Sequence, residues 1–123
     1  MKTVILFFFL LPFSLSAQIV EWQSEKDFNF GVLEQGFPEE VDFSFKNVSS
    51  DTLVIDNVRS TCGCTAPYWD FTPILPDSTS TITLKYDAYR DGYFYKKVKV
   101  FFNKQRKAEV LSITGSVNPR GTP

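Results

Sequence analysis

The chain has no histidine, and that gap removes more chemistry than any other feature of its 123 residues. Without imidazole, Ser-His-Asp and Cys-His nucleophile pairs cannot be built, and the usual general base near neutral pH is missing. Methionine is almost as scarce, since the only copy is Met1. Cysteine occurs twice, one residue apart, as Cys62 and Cys64. The six glycines form no phosphate-cradling loop. An excess of one charge is also absent. Thirteen basic residues face 14 acidic ones, so the chain carries no electrostatic footprint for nucleic acid. The carboxylates of Glu39, Glu40, Asp51, Asp56 and Asp70 fall in turns or on polar strand faces. Nothing draws two of them into an apolar pocket where their pKa values would split. Ordinary catalysis is therefore not expected, and no cofactor or metal is implied.

What is present begins with an export leader. Lys2 supplies a positive start, the run Val4–Leu11 an apolar centre, and Ser16-Ala17 a small-residue cleavage site ahead of Gln18. The run falls short of the roughly 20 apolar residues that span a bilayer. Residues 1–17 thus read as a signal peptide and residues 18–123 as a single domain. The expected address is periplasmic or extracellular, with no integral membrane segment once the leader is removed. Cleavage also removes Lys2, leaving 12 basic against 14 acidic residues, a net charge of −2. The basic stretch Lys96, Lys97, Lys99, Lys104, Arg106 and Lys107 is interrupted by valine and phenylalanine. It reads as a solvated strand face and hairpin tip.

The domain itself is a run of short β-type segments. Val41, Phe43 and Phe45 alternate with Asp42, Ser44 and Lys46, the period-2 pattern of a strand with one buried face. Ile82, Leu84 and Tyr86 repeat it, as do Phe94, Val98, Val100 and Phe102, and then Leu111, Ile113 and Val117. Lys96 falls on the inward parity of its strand, which places it at a rim with its stem on the core and its ammonium in water. Further runs are Ile19–Trp22, Phe28–Leu33 and Thr52–Ile55. Turn chemistry at Gln35-Gly36, Ser49–Asp51, Pro76–Ser78, Asp91-Gly92 and Asn103–Gln105 separates the segments. No helical period persists. About seven such strands predict an all-β, immunoglobulin-like sandwich of antiparallel strands. Asn47-Val48-Ser49 matches a glycosylation sequon, but Asn47 reads as a turn residue.

From Phe28 to Val117 the chain resembles the domain of unknown function 1573 family. The residues that carry the resemblance are Phe30-Gly31, Phe43–Asn47, Leu53, Ile55, Thr61–Thr65, Pro67, Trp69 and Pro76. Ile82, Tyr86, Gly92, Phe94, Lys96, Val98, Val100, Asn103 and Gly115 extend it. The resemblance implies an exported immunoglobulin-like domain of the kind frequent in Bacteroidota-like bacteria, akin in fold to major sperm protein and the pilus chaperones. It implies no settled biochemical role. Asp77 departs from the pattern, standing where relatives often carry the glycine of a Pro-Gly turn.

The Cys62-Gly63-Cys64 triplet has three readings, and all stay open in the sequence. A small disulfide ring suits an exported chain, with Gly63 allowing the bend. Free thiols are the second. The third is redox or Cu(I) handling. Against it, Arg59 is the only cation nearby in sequence to lower a thiol pKa, and no helix is predicted to follow. The residues after the pair, Thr65, Pro67, Tyr68 and Trp69, complete a Cys62–Trp69 loop that could meet a partner. The partner class is a protein or an envelope component; nucleic acid is not expected. If the leader is removed as read, N-terminal sequencing of the exported protein will start at Gln18. A protein that still starts at Met1 would mean an uncleaved anchor.

Overall fold

The structure is a computed structural model that describes residues 18–120; the leader read over residues 1–17 lies outside them. Eight strands follow one another without a helix among the described residues: β1 (Val20–Trp22), β2 (Asp27–Glu34), β3 (Glu39–Asn47), β4 (Ile55–Ser60), β5 (Thr65–Trp69), β6 (Thr79–Tyr86), β7 (Gly92–Phe102) and β8 (Glu109–Asn118). They form two four-stranded sheets, ordered β1-β3-β6-β5 and β2-β8-β7-β4. All neighbours are antiparallel except β2 and β8, which run parallel. The all-β immunoglobulin-like sandwich expected from the periodicity is the fold observed, with one strand more than the alternation revealed.

The alternating positions do what period 2 requires. Phe43 and Phe45 of β3, with Ile82, Leu84 and Tyr86 of β6, are buried against Phe94, Val98, Val100 and Phe102 of β7 and Leu111, Ile113 and Val117 of β8. Burying each of these side chains stabilises by roughly 1.5–3 kcal/mol. Two aromatic contacts bridge the sheets. Phe45 meets Phe102 edge-on at 5.4 Å, and Tyr86 stacks on Phe94 at 3.9 Å with only 13° between the rings. Gly115 makes room for the second. A Cβ there would stand 2.7 Å from Phe94 Cζ and 3.0 Å from the carbonyl oxygen of Gly31.

Three local expectations change, at Thr52–Ile55, at Cys62–Trp69 and at Asn47. The run Thr52–Ile55 is not a strand; Leu53 forms an isolated bridge with Ile74, and β4 starts at Ile55. A bulge between Ile55 and Asn57 then carries the strand on through the polar residues to Ser60. The Cys62–Trp69 segment is also only partly a loop, because Thr65–Trp69 form β5. Proline at its centre masks this strand in the sequence. An edge position tolerates it.

Asn47 is not a turn residue but the last residue of β3, and it is fully buried. Its Nδ2 donates to the carbonyls of Asp51 and Ile74 at 2.8 and 2.9 Å. Its Oδ1 accepts from the Ser49 amide and hydroxyl at 2.9 and 2.7 Å. Its backbone pairs with Ser78 and Asp77. The sequon nitrogen is therefore fully engaged inside the fold. Nearby, the Pro76-Asp77 turn closes with the Ser78 amide donating to the Leu75 carbonyl. Asp77 takes a φ of 66°, the left-handed conformation of the glycine it replaces, at the turn position where a type II turn requires it.

Removing the Asn47 amide strands buried carbonyls on two loops. Asn47→Ala is expected to lower unfolding stability by about 2–3 kcal/mol, as measured by urea denaturation. A loss no larger than that of an exposed-residue control would contradict this role.

Candidate functional site: the cysteine corner

The two cysteines sit where the chain leaves the edge strand of one sheet, β4, and crosses to the edge strand of the other, β5. Cys62 and Cys64 are joined as a disulfide with their Cα atoms 5.2 Å apart, inside the range such bonds accept. So short a ring constrains the unfolded chain little, roughly 1–2 kcal/mol by loop-closure entropy. Its effect is on shape. The Cys64 amide points at Cys62 Sγ at 3.2 Å, and the Thr65 amide donates to the Cys62 carbonyl at 3.3 Å. The Ser60 hydroxyl lies 3.0 Å from both the Cys62 and Thr65 carbonyl oxygens. The crossover is thus tied by its own backbone.

These bonds also close the sheet edges at this corner. Asp87 donates its amide to the Cys64 carbonyl at 3.0 Å, which makes the Cys64–Asp87 pair a hydrogen-bonded one. In an antiparallel ladder bonded and non-bonded pairs alternate, so the amides of Thr65, Pro67 and Trp69 are the ones aimed at the free edge. Thr65 is turned back to Cys62, and Pro67 has no N–H. On β4, the Val58 amide is taken by the side-chain oxygen of Asn57 at 2.9 Å. At Thr65, Pro67 and Val58 an incoming strand finds no free amide; the Trp69 amide still faces the edge.

The residues singled out in the sequence separate in space. Gly63 is exposed at the tip of the turn. Thr65 is buried. Tyr68 points outward from β5 and is 54% exposed. Trp69 lies partly buried on the other face, packed on the core and 5.2 Å from the Phe71 ring. Tyr68 and Trp69 therefore do not form one aromatic surface.

What the corner brings together instead is a cleft of about 250 Å³ walled by the disulfide, Tyr86, Asp87, Tyr89, Arg90 and Lys96. Lys96 is half-buried at the rim, as its inward parity indicated. Arg59, the cation nearest in sequence, is elsewhere, with its guanidinium 5.7 Å from the Phe101 ring. Tyr89 and Arg90 went unnoticed in the sequence because their meeting with the cysteines depends on the β6–β7 loop. That loop turns at Ala88, whose φ is 54°, and is held by Gly36 donating its amide to the Ala88 carbonyl and Asp87 capping the Tyr89 amide at 3.0 Å. Burial, then the Asp87 carboxylate, push the Tyr86 phenol above its ordinary value, while Arg90 works the other way. The phenol is neutral at physiological pH. With both sulfurs joined and two cations facing one carboxylate, the cleft is equipped to hold an acidic or aromatic group. Among the described residues no three or more Cys, Asp or Glu side chains gather to hold a metal. The redox and Cu(I) reading gains no support.

The family description "protein of unknown function (DUF1573)" matches residues 20–117. The chain belongs to that family. A search of curated proteins by sequence gives no match. Among solved structures, this DUF1573 domain is similar to a protein of unknown function from Porphyromonas gingivalis W83 at 15% identity and a TM-score of 0.68. The alignment covers 80% of the present chain and 46% of the other, so the chain spans about half the length of that protein. It is also similar to the ASH/PapD-like domain 7 of human CEP192, with 10% identity, a TM-score of 0.69, and 82% and 86% of the two chains covered. The SrpA adhesin of Streptococcus sanguinis aligns at 8% identity and a TM-score of 0.56, over 84% of this chain and 57% of the adhesin. At such identities the likeness is one of fold.

The Tyr86 phenol gives a pH signature. In the unfolded chain it ionises near pH 10, and in the folded domain only higher. Stability from keeping it neutral is complete below about pH 10 and declines as pH rises from there through the folded pKa. Denaturation midpoints measured between about pH 9 and 11 should therefore fall less steeply for Tyr86→Phe than for the wild type. Equal slopes would refute the shift.

Proposed function

We propose that this chain is an exported, non-enzymatic immunoglobulin-like binding module whose corner cleft receives a protein of the cell envelope. The observation that supports the reading is the cleft itself. It sets the disulfide, the 76%-exposed Tyr89 and two cations on one rim, at a corner where Thr65, Pro67 and Val58 offer an incoming strand no free amide. Recognition there is by side chains and not by an added partner strand. A ring such as that of Tyr89, with a free hydroxyl end, supplies contact area at small cost in side-chain entropy. Arg90 and Lys96 provide orientation through a carboxylate on the partner.

The export half of the proposal rests on the leader, and the absence of catalysis on the missing histidine and the engaged sulfurs. Among the described residues no helix is long and apolar enough to cross a membrane. The disulfide serves the reading by shaping the β4–β5 turn that walls the cleft opposite Tyr89 and Lys96.

A photo-crosslinking amino acid placed at position 89 in the native cell should give a discrete adduct, and one at Leu75, exposed in the turn beside Asn47 at the opposite pole, should not. Tyr89→Ala with Arg90→Ala should abolish partner retention by the immobilised domain without shifting its unfolding midpoint. Equal adducts at both positions, or retention unaffected by the double substitution, would sink the proposal.

A further inference from the structure

The outer face of the β2-β8-β7-β4 sheet carries a second feature, independent of the cleft. Along β7 the side chains of Tyr93, Tyr95, Lys97, Lys99 and Phe101 all point away from the core. Tyr93 is 76% and Tyr95 48% exposed. On β4, Arg59 stands directly opposite Lys99 in the ladder. Like charges directly opposite one another on adjacent strands work against sheet stability. No acidic partner relieves this pair. The ion pair found among the described residues joins Lys26 to Glu109. Across the sheet from Lys97 comes Ser112 and then Asp27, whose carboxylate is engaged by the Ser112 hydroxyl. Asp56, in the bulge that starts β4, makes no ion pair with Arg59, Lys97 or Lys99.

The cations lie instead over rings. Lys97 Nζ is 5.6 Å from the centroid of Tyr95, and the Arg59 guanidinium 5.7 Å from that of Phe101. Tyr93 and Tyr95, two residues apart on one strand, present their rings from a single flat face with roughly 6.8 Å between them. Beyond the end of β7 the exposed Lys104, Arg106 and Lys107 continue the basic strip into the hairpin tip. In a domain that is acidic overall once its leader is gone, this is a strong segregation of charge. Where a sheet breaks its own pairing rule with only ring contacts to offset it, a functional or strained site is the expected reason.

We propose that this face binds an acidic polysaccharide. Sugar rings lie on Tyr93 and Tyr95, and their carboxylates meet Lys97, Lys99 and Arg59, relieving the opposed Arg59–Lys99 pair. Two exposed tyrosines side by side on one strand suit the apolar faces of sugar rings, which a surface of lipid headgroups does not present. The choice of glycan over nucleic acid rests on the export address given by the leader.

Affinity electrophoresis of residues 18–123 through gels containing polygalacturonate tests this, with neutral dextran as the control matrix. The wild type should be retarded by polygalacturonate only, and less so as salt increases. Lys97→Ala with Lys99→Ala should weaken binding about tenfold or more, as should Tyr93→Ala with Tyr95→Ala, which leaves the charge unchanged. Removing three charges at the tip through Lys104→Ala, Arg106→Ala and Lys107→Ala should change it by no more than about twofold. Tyr89→Ala with Arg90→Ala should leave it intact, which separates this surface from the corner cleft. Because the charge substitutions relieve repulsion, the unfolding midpoints of those variants should not fall. Absence of retardation, a tip variant that loses as much as the face variant, or a tyrosine variant that binds normally would overturn the proposal. So would tighter binding to phosphatidylglycerol vesicles or to polyuridylate than to polygalacturonate.

Discussion

Everything at the corner of this sandwich depends on the stack of Tyr86 on Phe94. One ring comes from β6 and the other from β7, so the contact fastens the two sheets together just beneath the cleft. It exists only because position 115 has no side chain; the Phe94 ring occupies the space a Cβ would fill. From that floor the rim follows. Lys96, two residues along β7 from Phe94, rises beside the disulfide, while Asp87, next to Tyr86, fixes both the cysteine turn and the loop that carries Tyr89. A glycine on a third strand thus sets the position of a cation on a second.

The corner also shows how a small β-domain can blunt its edge strands. Edge strands invite other chains to pair with them. Here a proline, an asparagine side chain and a self-bonded turn remove three of the amides that an intruding strand would use. The disulfide belongs to the same device, since it shapes the crossover far more than it adds to stability. What remains exposed at the cleft is the side-chain chemistry of Tyr89 and Arg90.

Much of this was legible in the sequence. The buried faces of β3, β6, β7 and β8 follow from alternation alone, because Phe43, Phe45, Ile82, Leu84 and their counterparts have no other way to leave water. Lys96 was placed by the same parity. The rest depends on long-range geometry. β5 has too few apolar residues and a central proline, and it exists because β6 offers it a ladder. Asn47 shows local turn chemistry in the sequence, yet its acceptors at Asp51 and Ile74 are brought to it by folding. Tyr89 and Arg90 meet the cysteines only through the left-handed turn at Ala88. The opposed Arg59 and Lys99 lie 40 residues apart and become neighbours through the register of β4 on β7.

The parallel pairing of β2 with β8 has a mechanical consequence. Both strands run from the end of the sandwich that holds Asn47 toward the end that holds the cleft. The chain therefore enters at one pole and leaves at the other. A pull applied to the start of β2 and the end of β8 loads their ladder in shear, so that its bonds share the load and do not yield one after another like a zipper. Resistance of that kind is a matter of unfolding rate and not of equilibrium stability.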